Sequence, residues 1–135
     1  MASAGYSGTP LARKLSLKDG MRVWFDAMPE SVRAEIADIA LIECDQPEPG
    51  LDAAHIFVTQ RATMEARLGV LLPLLKPAGF IWVSWPKKAS KVATDITEDT
   101  IRAVILPATP LVDVKVCAVD AIWSGLKLMI RKGAR

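Results

Sequence analysis

The sequence is poor in the residues that build metal centres and disulfide frameworks. Its 135 residues include two cysteines, Cys44 and Cys117, and one histidine, His55. A zinc site needs three or four such side chains at short spacings, and a disulfide framework needs more than two distant cysteines. We therefore predict no metal site, free thiols and a reducing, cytoplasmic location. His55 leads an apolar run and is predicted to be an ordinary residue at the end of a strand.

Long apolar stretches and a strong net charge are also missing. No run of residues is long enough to cross a bilayer, and no secretory signal is recognisable. The formal net charge of +2 favours neither nucleic acid nor an anionic membrane. The charge is nevertheless unevenly spread, since residues 30–52 hold seven acids and one arginine while lysines cluster at 87–91. We expect a polarised surface and no membrane partner.

Motifs of the common hydrolases and nucleotidases are absent. The sequence has no phosphate-binding GxxxxGK[ST] loop and no recognisable serine nucleophile motif. Neither Cys44 nor Cys117 has a histidine nearby in sequence, so each is expected to act as a small apolar residue. These absences leave hydrolase and nucleotidase functions without support.

What is present is the composition of one globular domain. Hydrophobic residues make up 51% of the chain and charged residues 24%, a balance typical of folded proteins of this size. The small, polar residues 1–10 predict a flexible N-terminal arm. Residues 11–135 are predicted to form a single domain.

Apolar runs alternate with helical patterns along that domain. We predict strands at residues 21–27, 40–43, 55–59, 80–84, 112–116 and 126–130, and helices at 29–39, 61–75 and 97–106. The proline-rich, acidic segment 46–52 is predicted to be an exposed loop. Strands separated by helices favour right-handed crossovers and a parallel sheet. The predicted fold is α/β, a three-layer Rossmann-like sandwich whose mostly parallel sheet has an antiparallel edge at the C-terminus.

The last two strands each alternate apolar and charged residues, which predicts one exposed face per strand. We expect residues 123–125 to form the turn between them, together with Asp120. The strand at 126–130 is predicted to lie at the sheet edge, where an unpaired strand favours a homodimer.

Two segments resemble the methyltransferases that depend on S-adenosylmethionine (SAM). The run LKDGMRVWFDAMPES resembles their first strand and turn, and LLPLLKPAGFIWVSW resembles their helix, Pro-Gly turn and central strand. The resemblance implies SAM as a cofactor, held by Asp26, Met28, Glu30 and Asp45. In that family the turn is glycine-rich, so that backbone and cofactor approach closely. Residues 26–30 contain no glycine, and Met28 with Pro29 would crowd the pocket.

A second resemblance covers nearly the whole chain. The runs GYSGTPL (5–11), WVSWPKK (82–88), VDVKVCAVD (112–120) and WSGLK (123–127), with the TD and TE pairs at 94–98, are similar to a small bacterial family of unknown function. This resemblance supports the fold and implies no reaction.

The carboxyl ends of parallel strands indicate where a ligand would bind. They place residues 28–30, 44–46, 59–60 and 84–91 at one edge of the sheet. The last segment is the richest in binding groups, because lysines supply positive charge, a serine a hydroxyl and a tryptophan a stacking wall. We predict that it holds an anionic or phosphate-bearing ligand through Trp85, Lys87, Lys88, Ser90 and Lys91. The alternative is a solvated loop whose tryptophan packs against a neighbour.

These patterns favour a small-ligand binding or protein-interaction module without catalysis and without a cofactor. The missing glycine turn motivates that prediction. The alternative is a SAM-dependent methyltransferase with a remodelled cofactor pocket. Nucleic-acid binding through Lys87, Lys88 and Lys91 is disfavoured, because a nucleic-acid footprint needs a broader basic surface.

Overall fold

Six strands form one sheet in the computed structural model, which describes residues 9–135. The predicted arm at 1–10 and the motif at 5–11 therefore lie largely outside the described residues. The strands are β1 Arg22–Asp26, β2 Ile42–Glu43, β3 Leu51–Phe57, β4 Leu75–Pro86, β5 Leu111–Ala118 and β6 Trp123–Ile130. The α-helices are α1 Leu11–Lys14, α2 Glu30–Glu35, α3 Arg61–Leu71 and α4 Glu98–Ala108.

The sheet has the order β2-β1-β3-β4-β6-β5. Strands β1 to β4 pair in parallel, and β6 runs antiparallel to both β4 and β5. The predicted Rossmann-like fold with an antiparallel pair at the C-terminus is confirmed. From β1 the chain first builds outward to β2 and then returns to the other side with β3, so the topological switch point lies between β1 and β3.

Hydrophobic cores cover both faces of the sheet. In β4, Ile81 and Val83 belong to the core under α3 and α4, while Phe80 and Trp82 belong to the core under α1 and α2. This two-sided burial is the reason why β4 lacks polar alternation. The Trp82 indole N–H donates to the carbonyl of Leu15 at 2.9 Å, which ties the segment after α1 to the sheet. No helix within residues 9–135 is long and apolar enough to cross a bilayer.

Two predicted boundaries near β3 and β4 are wrong. Residues 51 and 52 belong to β3 rather than to an exposed loop, because Leu51 is fully buried and Asp52 accepts the backbone N–H of Arg22 at 2.8 Å. His55 consequently lies inside the strand. Helix α3 ends at Leu71 instead of residue 75, since Pro73 lies in a 3₁₀ turn that leads directly into β4.

Helix α4 begins near its predicted start. The Thr97 hydroxyl accepts the N–H of Thr100 at 3.1 Å, and the Thr100 hydroxyl accepts the N–H of Thr97 at 3.2 Å. Asp95, two residues before Thr97, accepts the first N–H of α3, from Arg61, at 2.6 Å. The helix was predicted to end at residue 106, but it continues through Pro107 to Ala108.

The C-terminal pair differs from the prediction in two ways. Residues 123–125 are the first residues of β6 and not the turn. Asp120 does lie in the turn as predicted, and its carboxylate accepts the N–H groups of Ile122 and Trp123 at 2.8 Å each. Strand β6 lies between β4 and β5, so β5 and not β6 forms this edge of the sheet. A dimer through residues 126–130 would therefore require a strand that is already paired on both sides. A Cβ at Gly125 in β6 would lie 3.1 Å from the Ser84 hydroxyl, so a larger residue there would have to displace that side chain slightly.

Candidate functional site

The four parallel strands bring the predicted segments to one edge of the sheet. Because β2, β1, β3 and β4 are consecutive neighbours, the segments that follow them lie side by side in that order. These are residues 44–46, 26–30, 59–60 and 86–91. The turn after β1 and the segment after β3 flank the switch point, where open α/β sheets bind ligands.

The turn after β1 makes a left-handed bend without glycine. Ala27 has a φ of 56°, a conformation that costs an alanine about 1 kcal/mol. Met28 is half-buried and packs against the core under α1 and α2, and Pro29 is the N-cap of α2. Ala27 thus makes the bend that glycine favours, although this conformation is strained for alanine.

Carboxylates surround this turn. Asp26 accepts a hydrogen bond from the Arg67 guanidinium on α3 at 2.8 Å, and its side chain is 22% exposed. Glu30 and Asp45 are exposed, and within residues 9–135 neither has an ion-pair partner. The edge at β1 and β2 therefore presents acceptor groups and negative charge.

The loop after β4 is held by its own hydrogen bonds. The backbone N–H of Lys87 donates to the carbonyl of Ile122 at 2.7 Å. The Ser90 hydroxyl donates to the Lys87 carbonyl at 2.6 Å and accepts the N–H of Val92 at 3.2 Å. Lys91 takes a left-handed conformation, with a φ of 62°. Ser90 therefore serves the loop itself, whereas the lysine side chains have no such role.

A cavity of about 560 Å³ opens beside this loop. It brings together three of the five predicted ligand-binding residues, Trp85, Lys88 and Lys91, and leaves Lys87 and Ser90 outside its lining. A second cavity, of about 420 Å³, shares Ala93 and Thr94 with the first and extends to Thr59 and Gln60 after β3. The two cavities adjoin along the carboxyl edge of the sheet.

Sequence reasoning missed the groups that fix this edge. The Thr94 hydroxyl donates to the Thr59 carbonyl at 2.7 Å and accepts the N–H of Ile96 at 3.1 Å. Arg67 and Asp26 are 41 residues apart in sequence. The TD pair at 94–95 stood out as a motif, but local spacing could indicate only a helix start. No pattern in the sequence indicated which distant segments these residues join.

A buried polar pair lies deeper in the sheet. His55 Nε2 and Ser84 Oγ are 2.7 Å apart across β3 and β4, and the His55 ring stacks on Phe57 at 4.2 Å. Burial lowers the pKa of His55 to about 3, so the imidazole is neutral near pH 7. The pair satisfies two polar groups inside the core and does not line the cavities at the edge.

The two thiols are buried as well. Burial raises the pKa of Cys44 and is the largest effect on Cys117, whose pKa is also raised although Lys14, Lys115 and Lys87 oppose the shift. Cys117 lines a separate cavity of about 250 Å³ with Lys14 and Lys115. A raised pKa keeps a thiol protonated, which is typical of a structural cysteine rather than a nucleophile.

Comparison with known proteins gives likenesses of structure only. No protein-family model and no curated protein matches the sequence. Among solved structures, one of a Sulfolobus solfataricus protein assigned to the type 11 methyltransferases has a TM-score of 0.62 at 12% identity, over 90% of each chain. DhpI in complex with SAH (S-adenosylhomocysteine) has a TM-score of 0.58 at 13% identity, over 90% of this chain and 82% of that one.

A third neighbour is fibrillarin from Aeropyrum pernix with natively bound SAM. It has a TM-score of 0.51 at 13% identity, over 93% of this chain and 71% of that one. At these identities the likeness establishes the fold, which this chain shares with methyltransferases.

These neighbours correct two expectations, that the chain lacks catalysis and that it lacks a cofactor. Both depended on the missing glycine at 26–30. Structures of this fold include methyltransferases and complexes with SAM and SAH, and Ala27 makes a left-handed bend although it is not glycine. The composition of the turn was therefore no ground for excluding either one.

Proposed function

We propose that this chain is a SAM-dependent methyltransferase with a remodelled cofactor pocket. The observation that carries the proposal is the left-handed bend at Ala27, directly after β1 and beside the switch point of a sheet shared with methyltransferases. A strained backbone at a ligand-binding position supports a role in binding, because strain persists where the surroundings enforce it. The buried, protonated thiols are in keeping with a cytoplasmic location, which forms part of the proposal.

The side chains around the turn suit the chemistry of SAM. The cofactor presents an ammonium group, a sulfonium group and ribose hydroxyls, all of which favour carboxylate acceptors. Asp26, Glu30 and Asp45 supply such acceptors from two adjacent segments, the turn after β1 and the segment after β2. Met28 supplies an apolar, polarisable surface beside them. We expect these four residues to hold the cofactor.

The role of the chain is to bind and orient. When bound beside Asp26, Met28, Glu30 and Asp45, SAM would supply an electrophilic methyl group to an acceptor lone pair, leaving SAH and releasing the acceptor proton to water. Arg67 fixes the Asp26 carboxylate from α3 at 2.8 Å. Asp45 and Glu30 have no ion-pair partner within residues 9–135, so both are free to accept from a ligand.

Isothermal titration calorimetry of the full chain with SAM and SAH tests this function. We expect both compounds to bind and Asp45→Asn to weaken binding by about tenfold or more, since it removes a charge-assisted hydrogen bond. Asp38→Asn is the matched control, because Asp38 is an exposed acid between α2 and β2 and should leave affinity unchanged. Absence of binding at millimolar SAM and SAH would contradict the proposal.

A further inference from the structure

The cavity beside the loop after β4 is large enough for a small molecule. Its volume of about 560 Å³ falls within the range of small-molecule pockets, roughly 300–1,000 Å³. One wall is apolar, formed by buried Trp85, Pro86 and Ile96, and the rim carries Lys88, Lys91 and Thr97. An apolar wall with a few charged groups is the usual construction of such a site.

The two ammonium groups on this rim are not neutralised by the protein. Within residues 9–135 neither Lys88 nor Lys91 forms an ion pair. The nearby acids are engaged elsewhere, since Asp95 accepts the first N–H of α3 and Glu98 pairs with Arg102. Unpaired ammonium groups beside a cavity favour an anionic ligand.

The loop also fixes the backbone of both lysines. Lys88 begins a 3₁₀ turn, and Lys91 ends it in a left-handed conformation that favours glycine. The Ser90 hydroxyl bridges the Lys87 carbonyl and the Val92 N–H. The position of Lys91 is thus set by the loop, and a lysine is kept there at a conformational cost.

The cavity is connected to the proposed cofactor edge. It adjoins the second cavity through Ala93 and Thr94, and that cavity reaches Thr59 and Gln60 after β3. Strand β3 pairs directly with β1, and neighbouring strands lie about 5 Å apart. A molecule anchored at the lysines can therefore extend along the edge toward the turn at 26–30.

We infer that the methyl acceptor is a small molecule with an anionic group, a phosphate or a carboxylate, which Lys88 and Lys91 hold in this cavity while its reactive end points toward β3 and β1. This inference rests on the proposed methyltransferase function. Trp85 and Pro86 provide the apolar surface for the uncharged part of the molecule. The cavity has the size of a small-molecule pocket and, among the described residues, carries only two lysines. A nucleic acid would need a broader basic surface, which argues against it as the acceptor.

The test uses phenyl phosphate, benzoate and uncharged phenol as probes, each followed by amide chemical shifts of the full ¹⁵N-labelled chain. We expect one or both anions to shift the resonances of residues 85–97 and phenol to shift none. A shift by only one of the anions identifies the acceptor group as a phosphate or a carboxylate, whereas shifts by both show that the site takes either group. The double variant Lys88→Gln, Lys91→Gln should lower the affinity for the anion by about tenfold or more. The control double variant Lys18→Gln, Lys132→Gln should leave that affinity unchanged.

The same samples are titrated with SAM, so that a failure of the proposed methyltransferase function can be distinguished from a failure of the proposed acceptor site. Unchanged SAM affinity in the Lys88→Gln, Lys91→Gln variant, together with lost anion binding, is the expected result. SAM binding without any anion shift would overturn the inference and leave the proposed function standing. Anion shifts without SAM binding would remove the acceptor role, and displacement of the probes by a short DNA duplex would overturn the small-molecule assignment.

Discussion

The turn after β1 and the loop after β4 both follow a parallel strand and both contain a left-handed residue, but their side chains make different contacts. Both leave a parallel strand at the same edge, and each contains a non-glycine residue with a left-handed backbone, Ala27 in the first and Lys91 in the second. In the turn, Asp26 is paired with Arg67 and Met28 packs on a core. In the loop, the Ser90 hydroxyl bonds to the backbone, and within residues 9–135 the lysine side chains form no ion pair.

The difference separates side chains that the protein itself positions from side chains that have no protein partner. Where a side chain already has a partner, its geometry is set before any ligand arrives; where charge has no partner, a ligand can supply one. The turn contributes a shaped, acidic edge and the loop contributes free positive charge. The predictions below test how far stability and binding are divided between these two segments.

The largest effect is expected at Trp85, the one tryptophan that lines the loop cavity while remaining 8% exposed in the core. Trp85→Ala should lower the free energy of unfolding by roughly 3–5 kcal/mol, because it opens a large hole in the core. Met28→Ala should lower the free energy of unfolding by less than Trp85→Ala does, because Met28 is only half-buried. Urea unfolding monitored by circular dichroism measures both, and an equal loss for the two variants would contradict the deeper burial of Trp85.

The His55–Ser84 pair should make stability depend on pH. Its folded pKa of about 3 lies below the ordinary value of 6.5, so the unfolded chain binds more protons between these values and stability falls as pH falls through that window. From pH 6.5 to about 4.5 the loss should reach about 2 kcal/mol.

Chemical unfolding across this pH range measures the effect. His55→Gln, which cannot become charged, should be less stable at neutral pH and should lose less stability on acidification. If the free energy of unfolding of the wild type depends on pH as weakly as that of the variant, the histidine does not titrate as its burial requires.

Glycine should stabilise both left-handed positions. Ala27→Gly and Lys91→Gly should each raise the free energy of unfolding by about 0.5–1 kcal/mol, because glycine adopts these φ values without strain. Ala103→Gly is the control, since Ala103 is exposed within α4 and glycine there should cost about 1 kcal/mol. Thermal unfolding distinguishes them, and a destabilised Ala27→Gly variant would rule out strain at the turn.

The smallest stability effect is expected at Arg67. Its ion pair with Asp26 is partly exposed, so Arg67→Gln should lower stability by less than about 1 kcal/mol. Its SAM affinity should fall several-fold, because the Asp26 carboxylate loses its orienting partner. Arg61→Gln breaks the exposed Arg61–Glu65 pair and serves as the control. Equal SAM affinity in both variants would leave Arg67 with a structural role only.

Much of the fold was predictable because it depends on local patterns. The apolar run before Trp85 indicated a central strand, and Thr97 indicated a helix start; both are observed. The start of β3 was missed because Leu51 sits in an acidic, proline-rich segment, where only pairing with Leu75 reveals a strand. The assignment of the edge strand failed for the same reason, since strand order is a long-range property.

The candidate site was less predictable than the fold. Lys88 and Lys91 could be proposed from their position after a central strand, and they do line a cavity with Trp85. The internal use of Ser90 could not be foreseen, because it depends on the exact path of a short turn. Absence of glycine at 26–30 was misleading, since sequence shows which residue favours a bend and not whether the bend is made.

A crystal structure of the full chain grown with SAH tests the central claim most directly. The account predicts SAH at the carboxyl ends of β1 and β2, with contacts to Asp26, Met28, Glu30 and Asp45, while Lys88 and Lys91 remain open for an acceptor. SAH bound in the lysine-lined cavity instead, or no SAH bound at saturating concentration, would contradict it.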